Sequence, residues 1–175
     1  MEEVVFYAIK FLILLTILRA ANIVFVDECG LNRYYRREMA RAKRGTRVRG
    51  VKSGRRFART NVIAGVSGTK HLAVRCYDHS TTANFFEEWF EWELLSVVPE
   101  GSIIIMDNAS FHRKAKLYEI ASRYGVVILF LPPYSPELNP IEKSWANLKR
   151  WLKDNIIRFF SLEFAVEWYF SEFRS

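Results

Sequence analysis

Residues 131–145, LPPYSPELNPIEKSW, constrain this chain more than any other stretch. Pro132, Pro133, Pro136 and Pro140 each lock φ, so the segment is held to one path at low entropic cost. It follows a hydrophobic run and leads into an apolar-periodic one, and therefore reads as a stiff loop between a buried strand and a helix. Asn139 suits the N-cap and Pro140 the first helical position, which puts Glu142 at the third. A carboxylate there has two readings: it reaches back to close a capping box, or it projects from the helix start as a functional group. What Glu142 faces decides between them.

The rest of the chain supplies candidates for that facing group. NIVFV at 22–26 is a continuous apolar run followed by Asp27-Glu28-Cys29-Gly30, which predicts a strand buried on both faces and ending in Asp27. Residues 61–66 and 71–77 are β-rich and flank Ser67-Gly68-Thr69-Lys70, the composition of a hairpin turn. From Thr81 the period becomes helical: Phe85, Trp89 and Trp92, beside Phe86, Phe90 and Leu94, form an aromatic stripe with Glu87, Glu88 and Glu91 between them. That stripe is expected in the core. Pro99-Glu100-Gly101 ends the connection, and SIIIMDN at 102–108 is a second apolar strand ending in an aspartate, Asp107. Leu117, Ile120, Ala121 and Tyr124 mark a helix stopped by Gly125, and 126–131 is the third buried strand. After the proline loop Ile141, Trp145, Leu148 and Leu152 point inward, with Lys143, Lys149, Arg150 and Lys153 outward, and an aromatic helix near 161–170 closes the chain.

Strand, hairpin, helix, strand, helix, strand, helix is the order of an α/β domain with a mixed sheet and helices on its faces. The first strand and the strand ending at Asp107 can lie side by side and parallel, so both aspartates emerge at the carboxyl edge where such sheets place their sites. The proline loop begins at that edge. Three carboxylates this close repel one another unless a cation lies between them. Asp78 is a competing carboxylate, but it ends an antiparallel strand set apart from the other two; His71 and His79 read as structural.

Charge points to an anionic partner. The formal charge is +7 with a pI near 9.5, and 12 of the 26 Lys and Arg fall between positions 31 and 60. They are Arg33, Arg36, Arg37, Arg41, Lys43, Arg44, Arg47, Arg49, Lys52, Arg55, Arg56 and Arg59, against Glu38 alone. The arginine bias and the interleaved Tyr34, Tyr35 and Phe57 favour phosphate contact over a merely solvated loop. Cys29 and Cys76 are too few and too far apart for a CxxC metal or redox motif, and read as free thiols in a reducing cytoplasm. Residues 1–21 read as a helix or linker remnant. Glu2 and Glu3 stand where a signal peptide needs positive charge, and the apolar run at 11–18 is too short to span a bilayer, so no membrane attachment is expected.

Three motifs carry a resemblance: Asp27-Glu28 after a hydrophobic strand, MDNASFH at 106–112, and LPPYSPELNPIEKSW with the following Asn147-Leu148-Lys149. In this order they resemble DDE transposases of the mariner superfamily, in the branch found in prokaryotic insertion sequences. The spacing agrees, since 142 minus 107 is 35 and leaves 34 residues between the second and third acids. The resemblance implies a ribonuclease-H-like catalytic domain, a five-stranded mixed sheet flanked by helices over 22–175. It implies Asp27, Asp107 and Glu142 as catalytic ligands of two Mg²⁺ or Mn²⁺ ions, consistent with hard oxygen donors. Asn108 and His112 either hydrogen-bond a ligand carboxylate or the DNA backbone, or serve only as turn and helix-start residues. Lys143 and Lys149 join the arginine segment as DNA contacts. The implied activity is DNA cleavage and strand transfer, on element ends and target, by a homodimer or with a chain supplying the DNA-binding domain, in the cytoplasm at the nucleoid. Transposases of this kind carry N-terminal helix-turn-helix modules, for which there is no room before residue 22. The alternative is therefore an inactive remnant that binds DNA or a full-length relative.

Overall fold

The computed structural model describes residues 22–31, 60–132 and 135–172. The arginine segment and the N-terminal helix or linker lie outside the described residues. Five strands, β1 (Ile23–Leu31), β2 (Thr60–Ser67), β3 (Lys70–Tyr77), β4 (Ile103–Met106) and β5 (Val127–Phe130), form one sheet in the order β3-β2-β1-β4-β5. β1 pairs parallel with β4 and β4 with β5, while β1–β2 and β2–β3 are antiparallel, so the sheet is mixed as expected. Gly68 turns the hairpin with φ +59.

β1 does not end in Asp27 but runs four residues further, to Leu31. Its parallel partner reaches only as far as the Phe25–Ile105 pair, but β2 continues the ladder from Phe25–Val66 to Leu31–Thr60. Asp27 thus sits where β1 outruns β4, held in extended backbone by its antiparallel neighbour.

Helices cover both faces. On one, α1 (Ala83–Trp89) starts at Thr82, whose Oγ1 accepts from the Phe85 N–H at 3.3 Å, and widens into a π-helical turn over Phe90–Leu94. Phe86, Trp89, Phe90 and Leu94 are buried there with α2 (Lys114–Arg123) against Val24, Val26, Ile104 and Met106. Trp92 was expected in that stripe and is 68% exposed, because the wider turn keeps positions 90 and 94 inward and turns 92 outward. Gly125 ends α2 with φ +63. On the other face α3 (Ile141–Asn155) and α4 (Leu162–Glu172) bury Ile141, Trp145, Leu148, Leu152, Ala165, Val166 and Phe170 against Cys29, Leu31, Val62 and Ala64. The inward face of α3 is the one its apolar period predicts. No described helix is long and apolar enough to cross a membrane.

Candidate active site

Register brings the two aspartates together. Phe25 on β1 pairs with Ile105 on β4; two residues on, Asp27 is still on β1, on the face of Phe25, while Asp107 follows Met106, where β4 has already ended, so both lie at the carboxyl edge of the parallel pair. The third acid arrives on α3, in whose first turn Glu142 is exposed. Convergence is felt electrostatically. The Asp27 carboxyl is pushed up from 3.8 to about 6, first by burial and then by the charges of Glu142 and Asp107; hydrogen bonds from the Glu28 backbone and the Trp145 side chain oppose the rise. Among the described residues no three His, Cys, Asp or Glu side chains are gathered tightly enough to hold an ion as they stand. The structure therefore brings Asp27, Asp107 and Glu142 to one edge in an open arrangement, not a closed cage.

The two readings of Glu142 separate in part. The helix starts one residue later than expected, with Pro140 and not Asn139 at the N-cap and no side chain capping it, so Glu142 is its second residue; Asn139 lies just ahead, its Oδ1 accepting the Ile141 N–H at 3.4 Å and its carbonyl the Glu142 N–H at 3.2 Å. The Asn139 side chain also donates from Nδ2 to the Val26 carbonyl of β1 at 3.4 Å, so it anchors the start of the helix to the strand that carries Asp27.

Asp107 is braced from behind. Its Oδ1 accepts the Ala109 N–H at 3.1 Å, an Asx turn, and the His112 Nδ1 lies 3.1 Å from its carbonyl and 3.6 Å from Oδ1. The His112 side chain is only 3% exposed, packed on Phe86 and Phe111 with ring centroids at 4.3 and 4.6 Å. Burial, ahead of the other causes, holds its pKa below the ordinary histidine value, so the ring is neutral at pH 7; a carbonyl only accepts, which puts the proton on Nδ1. Asn108 donates from Nδ2 to the Leu131 carbonyl at 2.6 Å and accepts from Lys114, whose ammonium lies 4.4 Å from the Phe130 ring centroid. It ties the end of β4 to the start of the proline loop, as does the Leu131 N–H on the Met106 carbonyl at 2.8 Å.

Other residues land elsewhere. Lys143 is exposed on α3, whereas Lys149, expected outward, is half-buried with its ammonium against the Cys29 thiol, which burial raises above its ordinary pKa. Both cysteines are free. His71 packs tilted against Phe170 and His79 edge-on to Phe85, each with ring centroids 4.7 Å apart, both structural contacts. Asp78 lines a cleft of about 430 Å³ on the opposite face, with Glu28, Asn61, Tyr77, Thr81 and Phe111, and not the acid edge. Sequence reasoning assigned no role to Glu28, although strand alternation already sends it to the face opposite Asp27. It also treated Trp145 as core alone, and the polar end of its indole was the missed signal: Nε1–H donates to Asp27 Oδ2 at 2.9 Å.

Comparison with known proteins agrees with this fold. The chain is similar to the mariner Mos1 paired end complex with Mg at a TM-score of 0.76 and 18% identity, covering 99% of this chain and 55% of that one. It is similar to the Mos1 strand transfer complex at 0.72 and 19%, covering 93% and 50%, and to the isolated catalytic domain of Mos1 mariner transposase at 0.60 and 17%, covering 92% and 76%. At such identities the likeness shows the fold, which is the ribonuclease-H-like one. The chain spans about half the length of the Mos1 transposase chains in those complexes. A shorter stretch of 58 residues is 36% identical to an uncharacterized protein of Sinorhizobium fredii, over 33% of this chain and 41% of that one. The family described as DDE superfamily endonuclease matches residues 22–162, a span holding Asp27, Asp107 and Glu142, and the chain belongs to that family.

Proposed function

We propose that this chain is a transposase catalytic domain that cleaves DNA and joins strands by in-line attack of water or a 3′ hydroxyl on a phosphodiester, with divalent metal held by Asp27, Asp107 and Glu142. One observation supports the reading: Asp27, at the sheet edge, is raised to about 6 by burial and by the charges of Asp107 and Glu142, which come from two other segments. That is an uncomfortable place for three acids and a suitable one for cations. The donors are all carboxylate oxygens, which fits Mg²⁺ or Mn²⁺ better than zinc. Two such ions, when bound, supply activation of the nucleophile and neutralisation of charge on the leaving oxygen.

The remaining roles belong to the chain's own side chains. His112 and the Ala109 N–H hold the Asp107 segment, and Asn108 keeps the proline loop in step with β4. DNA is held by the arginine segment, with Arg33, Arg36, Arg37, Arg41, Lys43, Arg44, Arg47, Arg49, Arg55 and Arg56, together with Lys143 and Lys149; an excess of 26 basic over 19 acidic residues supports this. The Mos1 structures include a complex with a left transposon end and complexes with Mn and with Mg, which supports DNA and divalent metal as the partners here. Assembly as a homodimer, or with a chain that supplies end recognition, belongs to the same reading, as does work at the nucleoid.

The test is Asp107→Asn. It is expected to abolish metal-dependent nicking of a DNA duplex while salt-sensitive DNA binding persists. Nicking that survives the substitution overturns the reading, and wild type that binds DNA but never nicks favours a DNA-binding remnant instead.

A further inference from the structure

We infer that Trp145 and Asn139 are positioning residues for the acid set, tying the first turns of α3 to consecutive residues of β1 so that Glu142 stands at a set place relative to Asp27. The inference rests on the proposed metal-dependent reading and adds to it what places the ligands.

The two anchors bracket Glu142 in the chain, each three residues away. Asn139, 4% exposed, donates to the carbonyl of Val26; Trp145, 1% exposed, donates to the carboxylate of Asp27, the next residue. Residues three apart on a helix are neighbours on its surface, so Glu142 and the indole that grips Asp27 share one side of α3. The helix therefore carries one acid and holds another.

Indole N–H is a donor only, and burial leaves Trp145 no water to bond. The ring is fixed by its setting, edge-on to Phe170 at 6.3 Å and 89° and packed in the α3–α4 core. With the Glu28 backbone donor, it fixes the orientation of the Asp27 carboxylate. The contrast with Trp89 is instructive. That tryptophan is 0% exposed and gives its N–H to the Ala73 carbonyl at 2.8 Å, an ordinary backbone bond, whereas Trp145 gives its own to a carboxylate of the candidate site.

The experiment measures Mn²⁺ binding by electron paramagnetic resonance and calorimetry for wild type, Trp145→Phe, Asn139→Ser and Leu148→Ala, with thermal melts of each. Trp145→Phe keeps an aromatic ring and deletes the N–H. It is expected to weaken Mn²⁺ binding by roughly 10- to 100-fold, the usual cost of losing a partner behind a metal ligand. The Mn²⁺ concentration for half-maximal nicking should rise by the same factor, with the rate at saturation little changed. Leu148→Ala opens a cavity in the same helix face away from Asp27, and is expected to lower the melting temperature but not the Mn²⁺ affinity. Unchanged Mn²⁺ affinity in Trp145→Phe, or an equal loss in Leu148→Ala, overturns the inference and leaves the metal reading standing. Should Trp145→Phe not fold, Asn139→Ser decides, with a several-fold loss expected and wild-type affinity overturning it. Wild type that binds no Mn²⁺ removes the metal reading itself, and the inference with it.

Discussion

Asp27 and Glu28 are adjacent carboxyls on one strand, and burial raises both, yet they stand in opposite chemistry. Asp27 looks toward α3, where Trp145 grips one oxygen and Glu142 and Asp107 press on its charge. Glu28 looks toward α1, where Thr81 Oγ1 donates to its Oε2 at 2.8 Å and Tyr77 adds a further bond, while Oε1 is buried without a partner among the described residues. Burial pushes Glu28 from 4.5 to about 7, and the charges of Asp27 and Asp107 add to that. Glu28 has hydroxyl donors of its own, whereas Asp27 has Glu142 and Asp107 pressing on it and gains more from a cation. One strand step therefore separates the proposed ligand from an acid held by hydroxyls, because alternation sends neighbours to opposite faces.

The largest effect expected from that contrast is on activity. Asp27→Asn should lower metal-dependent nicking by at least about 1,000-fold, as loss of a group used in the reaction does, while Glu28→Gln should stay within about tenfold of wild type. Equal losses measured in a duplex nicking assay would erase the distinction between the two faces.

Stability against pH sharpens it. A carboxyl whose folded pKa exceeds its unfolded value binds more protons folded than unfolded, so its contribution is most favourable at low pH and fades as pH rises. For Asp27 that window runs from about 3.8 to about 6, worth on the order of 3 kcal/mol at full effect; for Glu28 it runs from about 4.5 to about 7. Denaturant unfolding of wild type should show stability falling across pH 4 to 7, with Asp27→Asn flattening the lower part and Glu28→Gln the upper. Saturating Mn²⁺ should suppress the Asp27 part and leave the Glu28 part. A decline that Mn²⁺ abolishes throughout would place Glu28 at the metal.

The smallest effect is expected at the hydroxyl. Thr81→Val removes the donor to Glu28 and should cost about 1–3 kcal/mol in denaturant unfolding, with nicking unaffected. A matching loss of nicking would mean that the cleft beside Glu28 serves the reaction.

What was legible in the sequence follows from which forces are local. Apolar runs placed the segments bearing Asp27 and Asp107 on neighbouring parallel strands, and the apolar period of 141–152 predicted the buried face of α3 residue by residue. The end of β1 was not legible, because its extension to Leu31 depends on pairing with β2, whose partner residues lie nearly thirty or more positions away. Trp92 was misplaced because a π turn shifts which positions face inward, and no local signal announces one. Lys149 reads as a surface lysine until its neighbour Cys29 is known. Trp145 shows how apolar spacing can hide a polar contact. Its position says core, which is correct, and says nothing of where the N–H points.

The central claim is that Glu142 is a metal ligand and not only a helix-start residue. Its most direct test is nicking of a short labelled DNA duplex by wild type and Glu142→Gln, each in Mn²⁺ and in chelator. Glutamine keeps the size and capping ability of the side chain but not the charge. The account predicts nicking by wild type in Mn²⁺ alone and none by the variant; nicking by Glu142→Gln at the wild-type rate, or nicking that persists in chelator, would contradict it.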